Sequence, residues 1–233
     1  MPSLYRGHTP STRLGKLLIG ADAAWRALAN PRDARLVGIV GEATGHAALS
    51  QMHKRMQCHP VGQAILHDRP AITAETLEGL RGLPLDSFGG AYAAFLAEHT
   101  FDPDERSDVQ FVDDADLAFV MARYRQVHDL WHVLYGLPPT MLGEVALKWL
   151  EAAQTGLPMA AMAAGGGSLR LKPAERSIVA QHVLPWAAST LLGGASTGGV
   201  DLMCVYYEHE FGRPLAAVRE ELRIRPCPMV SVM

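Results

Sequence analysis

The sequence predicts a mainly α-helical protein folded as a single compact multi-helix domain, on three observations. Apolar residues recur at spacings of three and four through most of the chain. Convincing strand patterns are scarce, and the glycine-rich spots are too short to be domain linkers. A length of 233 residues suits one well-packed domain and would be cramped as two. One domain over 1–233 is therefore expected, with 1–10 flexible.

Each element has its own signal. Leu14, Leu17, Leu18, Ala21, Ala24, Trp25 and Leu28 share one helix face, with Ser11 or Thr12 as cap and Asn30-Pro31 as stop. "RLVGIVGE" (35–42) could form a strand, although its surroundings favour a helix at least as much. Helical patterns follow at 45–57 and 60–67, closed by Arg69-Pro70, then at 73–81 and 88–98. The clearest helix runs from a cap at Asp113 or Asp114 to Gly136. It carries Leu117, Val120, Met121, Tyr124, Trp131, Leu134 and Tyr135 on its apolar face. Pro138-Pro139 ends it, and Thr140 can cap a following helix that continues to the Gly156/Pro158 stop. After a breaker at Gly165–Gly167, further helices are expected at 173–192 (kinked near Pro185), 201–211 and 214–224.

A net charge of −3, a pI near 6.4 and no basic cluster interleaved with aromatics argue against nucleic acid as a partner. Cys58, Cys204 and Cys227 are scattered and odd in number, which fits reduced packing thiols in an intracellular or organellar compartment. No run reaches the ~18–20 apolar residues a spanning helix needs. The most apolar region, 143–167, is broken by Lys148, Glu151, Gln154 and Pro158, yet could line an apolar pocket. The first twenty residues hold Arg6, Arg13 and Lys16 and no acid. That bias fits the tail of an import sequence and a basic disordered terminus equally well.

The chemistry concentrates in "HDLWHVLYGLPPTMLGE" (128–144). His128 and His132 are i,i+4 and project from one helix face, a spacing that suits two imidazoles converging on one metal. Asp129 points about 100° away from His128 but lies i,i+3 from His132, so a short rotation brings its carboxylate to the same edge. The double proline turns the chain back and returns Glu144 opposite the histidines. Two nitrogens and two carboxylates suit Zn²⁺, Fe²⁺ or Mn²⁺. Histidines four apart also occur by chance on amphipathic helices. The neighbouring carboxylates raise the odds of a metal, because burying them needs positive compensation.

Three known arrangements compete for this pattern. Zincin proteases place Glu where Asp129 stands, and no third histidine follows here at metzincin spacing. HD-type phosphohydrolases need an upstream His and a downstream Asp, roles open to His46 and Asp201, though nothing singles them out. Di-metal bundles need paired ExxH motifs, and the chain offers no second set. A single site between two adjacent helices fits best. Lys148, i,i+4 from Glu144, reads as an ion-pair partner more readily than as a contact for a substrate carboxylate. His67-Asp68 reads as a helix end, and "YYEHEF" (206–211) as core aromatics rather than a substrate wall.

The pattern His-Asp-x-x-His, eleven residues, Glu resembles the metal motif of the ubiquinone (coenzyme Q) biosynthesis protein 4 family, complete here as His128, Asp129, His132 and Glu144. The likeness extends to "GEATGH" (41–46), "RPAI" (69–72), "FVDD" (111–114), "RYRQVHD" (123–129), "GEVALKWLEAAQTGLP" (143–158), "PWA" (185–187) and "YYE" (206–208). It covers the chain from about Tyr5 to Met229. Two departures are the glycine-rich loop at 163–171 and a variable insertion at 190–200; neither touches the ligand positions.

The resemblance implies a helical protein that holds a divalent metal, zinc first and iron or manganese next, through those four residues, which are also its catalytic set. It implies loss of the C1 carboxylate from 4-hydroxy-3-methoxy-5-polyprenylbenzoate, giving a 2-methoxy-6-polyprenylphenol, coupled in some members to hydroxylation at the same carbon. It further implies a peripheral place on the matrix side of the mitochondrial inner membrane, in a complex with other ubiquinone-biosynthesis enzymes. The apolar faces around Trp131, Leu134, Leu147, Trp149 and Leu150 would take the polyprenyl tail. A metal-stabilised, non-catalytic scaffold that presents prenyl lipid is the alternative, and a homo-oligomer is compatible with either reading.

Overall fold

The computed structural model describes residues 3–30, 33–192 and 200–231, and among these no strand forms. The insertion expected at 190–200 falls largely outside the described residues. The helices are α1 (Arg13–Ala29), α2 (Ala34–Thr44), α3 (His46–Cys58), α4 (Pro60–Asp68), α5 (Ala74–Leu80), α6 (Phe88–His99), α7 (Ala115–Tyr135), α8 (Met141–Thr155) and α9 (Pro158–Arg170). They are followed by α10 (Pro173–Ile178), α11 (Leu184–Leu192), α12 (Tyr207–Glu210) and α13 (Leu215–Glu221). "RLVGIVGE" is thus helical, inside α2.

The centre is α7. Its start is fixed by Asp114, whose carboxylate accepts from the N–H groups of Asp116 and Leu117 at 2.9 Å each. Its end is fixed by Gly136 at φ 66°, a left-handed position that favours glycine. Helices α3 and α6 pack on it and α8 meets it through side chains such as Glu151, and Val120, Met121, Leu130, Trp131 and Leu134 lose all contact with water. Even the polar tip of Trp131 is satisfied, since its N–H donates to the Tyr207 hydroxyl at 2.8 Å, which in turn donates to the Leu202 carbonyl. Tyr207 and Phe211 are buried, as core aromatics should be.

Charged groups also lock the core. Arg123, 1% exposed, donates to both carboxylate oxygens of Glu208 at 2.5 and 2.8 Å. Buried Glu42 accepts from Arg125 and from the backbone N–H groups of Gln110 and Phe111. The segment before α1 is tied down as well, by Tyr5 donating to the Val112 carbonyl and by His8 against Asp113.

Three details depart from the sequence reading. Gly165–Gly167 does not break the chain, since α9 runs through it to Arg170. A Cβ at Gly167 would lie 2.6 Å from a Val145 methyl, so glycine there admits close packing of α9 on α8. The irregularity expected at Pro185 falls one turn earlier, as a π-turn over Val179–Val183 between α10 and α11. Proline lacks an N–H and its ring crowds the carbonyl four residues back, so the ladder shifts register upstream. Third, α1 turns small residues inward and large ones outward, so Leu14, Leu17, Leu18 and Trp25 are 64–75% exposed.

Candidate metal centre

The site is built where α7 ends, turns and returns as α8. Pro138 and Pro139 cannot continue α7, and the Thr140 hydroxyl caps α8 by accepting from the Gly143 N–H at 3.2 Å. A Cβ at Gly143 would sit 1.9 Å from the Pro138 carbonyl oxygen, so only glycine lets the turn close this tightly. Glu144 is the next residue, and the turn points it back at α7.

His128, His132 and Glu144 meet there, each offering one ligand atom within 4.8 Å of the others. The hydrogen bonds fix both tautomers. His132 Nδ1 lies 3.0 Å from the Leu137 carbonyl, an acceptor, so Nδ1 carries the proton and Nε2 presents a lone pair. His128 Nδ1 lies 2.5 Å from Glu151 Oε1, so it too donates there and turns Nε2 inward. The two Nε2 atoms approach the Glu144 carboxylate at 3.6 and 3.1 Å. Although His132 Nε2 is that close, it is buried and makes no hydrogen bond. Two lone pairs and a carboxylate facing one another demand a cation, either a proton or a metal.

Electrostatics agree. Burial and Lys148 both oppose charging His128, but Glu151 and Glu144 outweigh them and its pKa is raised. Burial alone would raise Glu144; with that cation present as a proton on the facing His132 and His128 imidazoles, they and Lys148 instead hold it down to about 2. The site is reachable, because the Glu144 side chain is 38% exposed while His132 is 1% exposed. Phe95 stacks on the His132 ring with centroids 5.5 Å apart.

Asp129 is placed differently. Its carboxylate accepts from Arg106 at 2.7 Å, and Arg106 also donates to the Tyr92 hydroxyl. The converging set is therefore His128, His132 and Glu144, with Asp129 beside it on Arg106. Lys148 does not pair with Glu144 but with Glu151, at 2.6 Å and i,i+3. His46 begins α3 exposed, and Asp201 is engaged by Arg55 at 2.6 Å, so neither extends the cluster.

Sequence reasoning missed the most buried member of the site. Glu151 is fully buried and accepts from His128, Lys148 and the Tyr124 hydroxyl at 2.5–2.6 Å. Burial opposes its charge, yet Lys148 and His128 hold its pKa down to about 2. A carboxylate behind a metal-facing histidine fixes the ring and raises its basicity. The signal was present: Glu144, Lys148 and Glu151 lie at i, i+4 and i+7 on one helix face, and Tyr124 is one turn before His128. The apolar faces expected to hold a tail are closed, with Trp131, Leu134, Leu147 and Leu150 fully buried and Trp149 half-buried.

Residues 5–228 match the family model described as Coenzyme Q (ubiquinone) biosynthesis protein Coq4. The chain is 42% identical over 227 residues to the rat protein named "Ubiquinone biosynthesis protein COQ4 homolog, mitochondrial", covering 97% of this chain and 84% of that one. It is 40% identical over 231 residues to the human protein of the same name, with 97% and 84% covered. A crystal structure of a Nostoc punctiforme PCC 73102 protein ascribed to ubiquinone biosynthesis superimposes with a TM-score of 0.63 over 89% of this chain and 98% of that one; at 18% identity the likeness is one of fold. The full-length match and the two close relatives establish that this chain belongs to the Coq4 family of ubiquinone biosynthesis proteins.

Proposed function

We propose that the protein removes the C1 carboxylate of 4-hydroxy-3-methoxy-5-polyprenylbenzoate, using a divalent metal held by His128, His132 and Glu144. The observation that carries this reading is the buried, unpartnered His132 Nε2, aimed with His128 Nε2 at one carboxylate. Mixed nitrogen and oxygen donors suit zinc first, then iron or manganese. Asp129 is the fourth donor in this reading, and reaching the metal means giving up Arg106. When bound, the metal supplies Lewis acidity that orients the substrate carboxylate or phenolate and stabilises charge on the ring.

The chain's own residues account for the rest. In the reaction the C1–carboxylate bond breaks, carbon dioxide leaves, and the electron pair left on C1 takes a proton. A carboxyl group held near pKa 2 is a poor proton donor, so Glu144 orients a water at its exposed edge; that water gives the proton C1 takes, and the hydroxide left is reprotonated from bulk solvent. Leu137 and Glu151 hold the imidazoles in the tautomers that face inward. The tail occupies the apolar groove of about 400 Å³ between α5 and α6, lined by Leu77, Leu83, Leu85, Ala93, Ala97 and Phe101. Phe95 links groove and site, its ring 6.1 Å from Phe101 and 5.5 Å from His132.

Among the described residues no helix is long and apolar enough to cross a membrane. The place proposed for the protein is the matrix face of the mitochondrial inner membrane, in complex with other ubiquinone-biosynthesis enzymes. A purely structural metal would be saturated by four protein donors. Here three groups converge with one at the surface, which leaves the fourth position open to substrate or water while Asp129 stays on Arg106. An ion that expands to five ligands keeps a position open when Asp129 joins.

The test is turnover of a short-tailed 4-hydroxy-3-methoxy-5-prenylbenzoate, with and without divalent metal, followed by mass spectrometry. Metal-dependent replacement of the carboxylate by hydrogen, or by hydroxyl if oxygen takes part, supports the reading. No loss from folded, metal-loaded protein overturns it in favour of a lipid-presenting scaffold. Asp129→Asn separates the two roles of that residue: weakened metal affinity marks a ligand, and lowered stability with unchanged affinity marks the partner of Arg106.

A further inference from the structure

Helix α1 is amphipathic in the reverse sense. Its inward face is small: Gly20 packs so closely on α2 that an added Cβ would lie 3.1 Å from that of Ala43, and Ala23 is 2% exposed. Its outward face is large, with Leu14 at 66%, Leu17 at 69%, Leu18 at 64% and Trp25 at 75% exposed. At one residue per 100°, these four fall within an arc of roughly 100°. An amphipathic helix ordinarily turns such a stripe to the core. Here the core is complete without it, and the stripe forms an apolar patch of the kind that marks an interaction site.

Charge identifies the occupant. The first forty residues hold Arg6, Arg13, Lys16, Arg26, Arg32 and Arg35 against Asp22 and Asp33, and with Asp113 paired to Lys16 and Asp22 to Arg26 a local excess of positive charge remains in a chain whose net charge is −3. Arg13 flanks the stripe on one side and Arg26, ion-paired with Asp22 at 3.5 Å, on the other, all three exposed. Leucines and a tryptophan on one face with cations at its edges suit the boundary of an anionic bilayer. Two copies meeting through this face would oppose like charges. We infer that α1 is a docking surface by which the protein lies on anionic lipid, Leu14, Leu17, Leu18 and Trp25 entering the headgroup–acyl boundary. It rests on the membrane placement proposed above, to which it gives a surface, and is independent of the metal reading, so a failed vesicle test leaves the turnover test untouched.

The test uses the full chain and phosphatidylcholine–phosphatidylglycerol vesicles at roughly two to one, against pure phosphatidylcholine. The wild type is expected to sediment with the anionic vesicles, less so at high salt. Trp25 emission should shift to the blue, a signal assigned by its loss in Trp25→Phe, since Trp131 and Trp186 are buried and Trp149 half-buried in the protein itself. Leu17→Glu and Trp25→Glu change exposed positions, keep the helical circular-dichroism spectrum, and lower vesicle affinity at least about tenfold each. Absent binding, binding indifferent to both variants, or equal binding to neutral vesicles overturns the inference. So does a dimer by light scattering that Leu17→Glu dissociates, with Trp25 already blue-shifted without lipid; the stripe would then belong to a second copy.

Discussion

Replacing Glu151 by glutamine changes one atom type in a side chain that never meets solvent, and its effect should be felt at the metal. The carboxylate serves three donors, the imidazole N–H of His128, the ammonium of Lys148 and the hydroxyl of Tyr124. An amide keeps one acceptor oxygen and sets an NH₂ against the remaining donors, so at least one charge-assisted bond is lost, at a cost of about 1.5–3 kcal/mol. Lys148 retains some water contact, with 18% of its side chain exposed, so the stability loss should stay near that range instead of reaching the ~3–5 kcal/mol of a sealed ion pair. His128 loses the partner that orients it and raises its basicity, which typically weakens metal binding by about 10–100-fold, or about 1.4–2.7 kcal/mol. Chelator competition with zinc measures the affinity, and urea unfolding of the metal-free protein measures the stability. Tyr124→Phe, which leaves the charge in place, should change the affinity by less than about threefold. A Glu151→Gln protein that binds zinc within about twofold of wild type would show that Glu151 does not tune His128 as a ligand.

Gly143→Ala should displace Glu144 without touching a donor atom, because the new Cβ would overlap the Pro138 carbonyl oxygen; metal affinity should fall by about tenfold or more, read by the same competition assay. Zinc binding should strengthen as pH rises, since His128 must shed the proton that its raised pKa retains. The metal-free fold has the opposite dependence on that group: the raised pKa lends stability below the ordinary value of 6.5, lost as pH climbs through the folded pKa. Glu144 and Glu151, both depressed, lend stability above their ordinary 4.5 that is lost as pH falls toward about 2; urea titrations across pH separate the two limbs. Ellman's reagent should find one reactive thiol in the native protein and three in denaturant, because Cys58 is exposed while burial pushes Cys204 up to about 12 and Cys227 up to about 11.

What the sequence disclosed was what local chemistry determines. Asp114, Gly136, Thr140 and Gly156 each act within one turn of their own helix end, so α7 and α8 could be bounded from the string of letters. The two histidines share a face by helical spacing alone, and the double proline announces the return of Glu144. The rest depended on encounters between distant segments. Whether Asp129 faces a metal or Arg106 depends on a loop twenty-three residues upstream. The Gly165–Gly167 run looks like a breaker until Val145 is seen to need the missing Cβ at Gly167. Periodicity identified the apolar stripe of α1 but not its direction, because packing of Gly20 on Ala43 and not hydrophobicity decides which side faces in. Glu151 went unnoticed since a glutamate three residues from a lysine reads as a surface ion pair until burial is known.

The most direct test of the metal centre is the metal content of the purified protein, measured per chain by inductively coupled plasma mass spectrometry beside that of His128→Ala, His132→Ala and Glu144→Ala. One divalent ion is expected in the wild type and none in each variant, whose helical fold persists while the ability to remove the carboxylate disappears with the ion. A metal-free wild type that turns over substrate at full rate, or a His132→Ala protein that keeps both ion and activity, would rule out a metal centre at these residues.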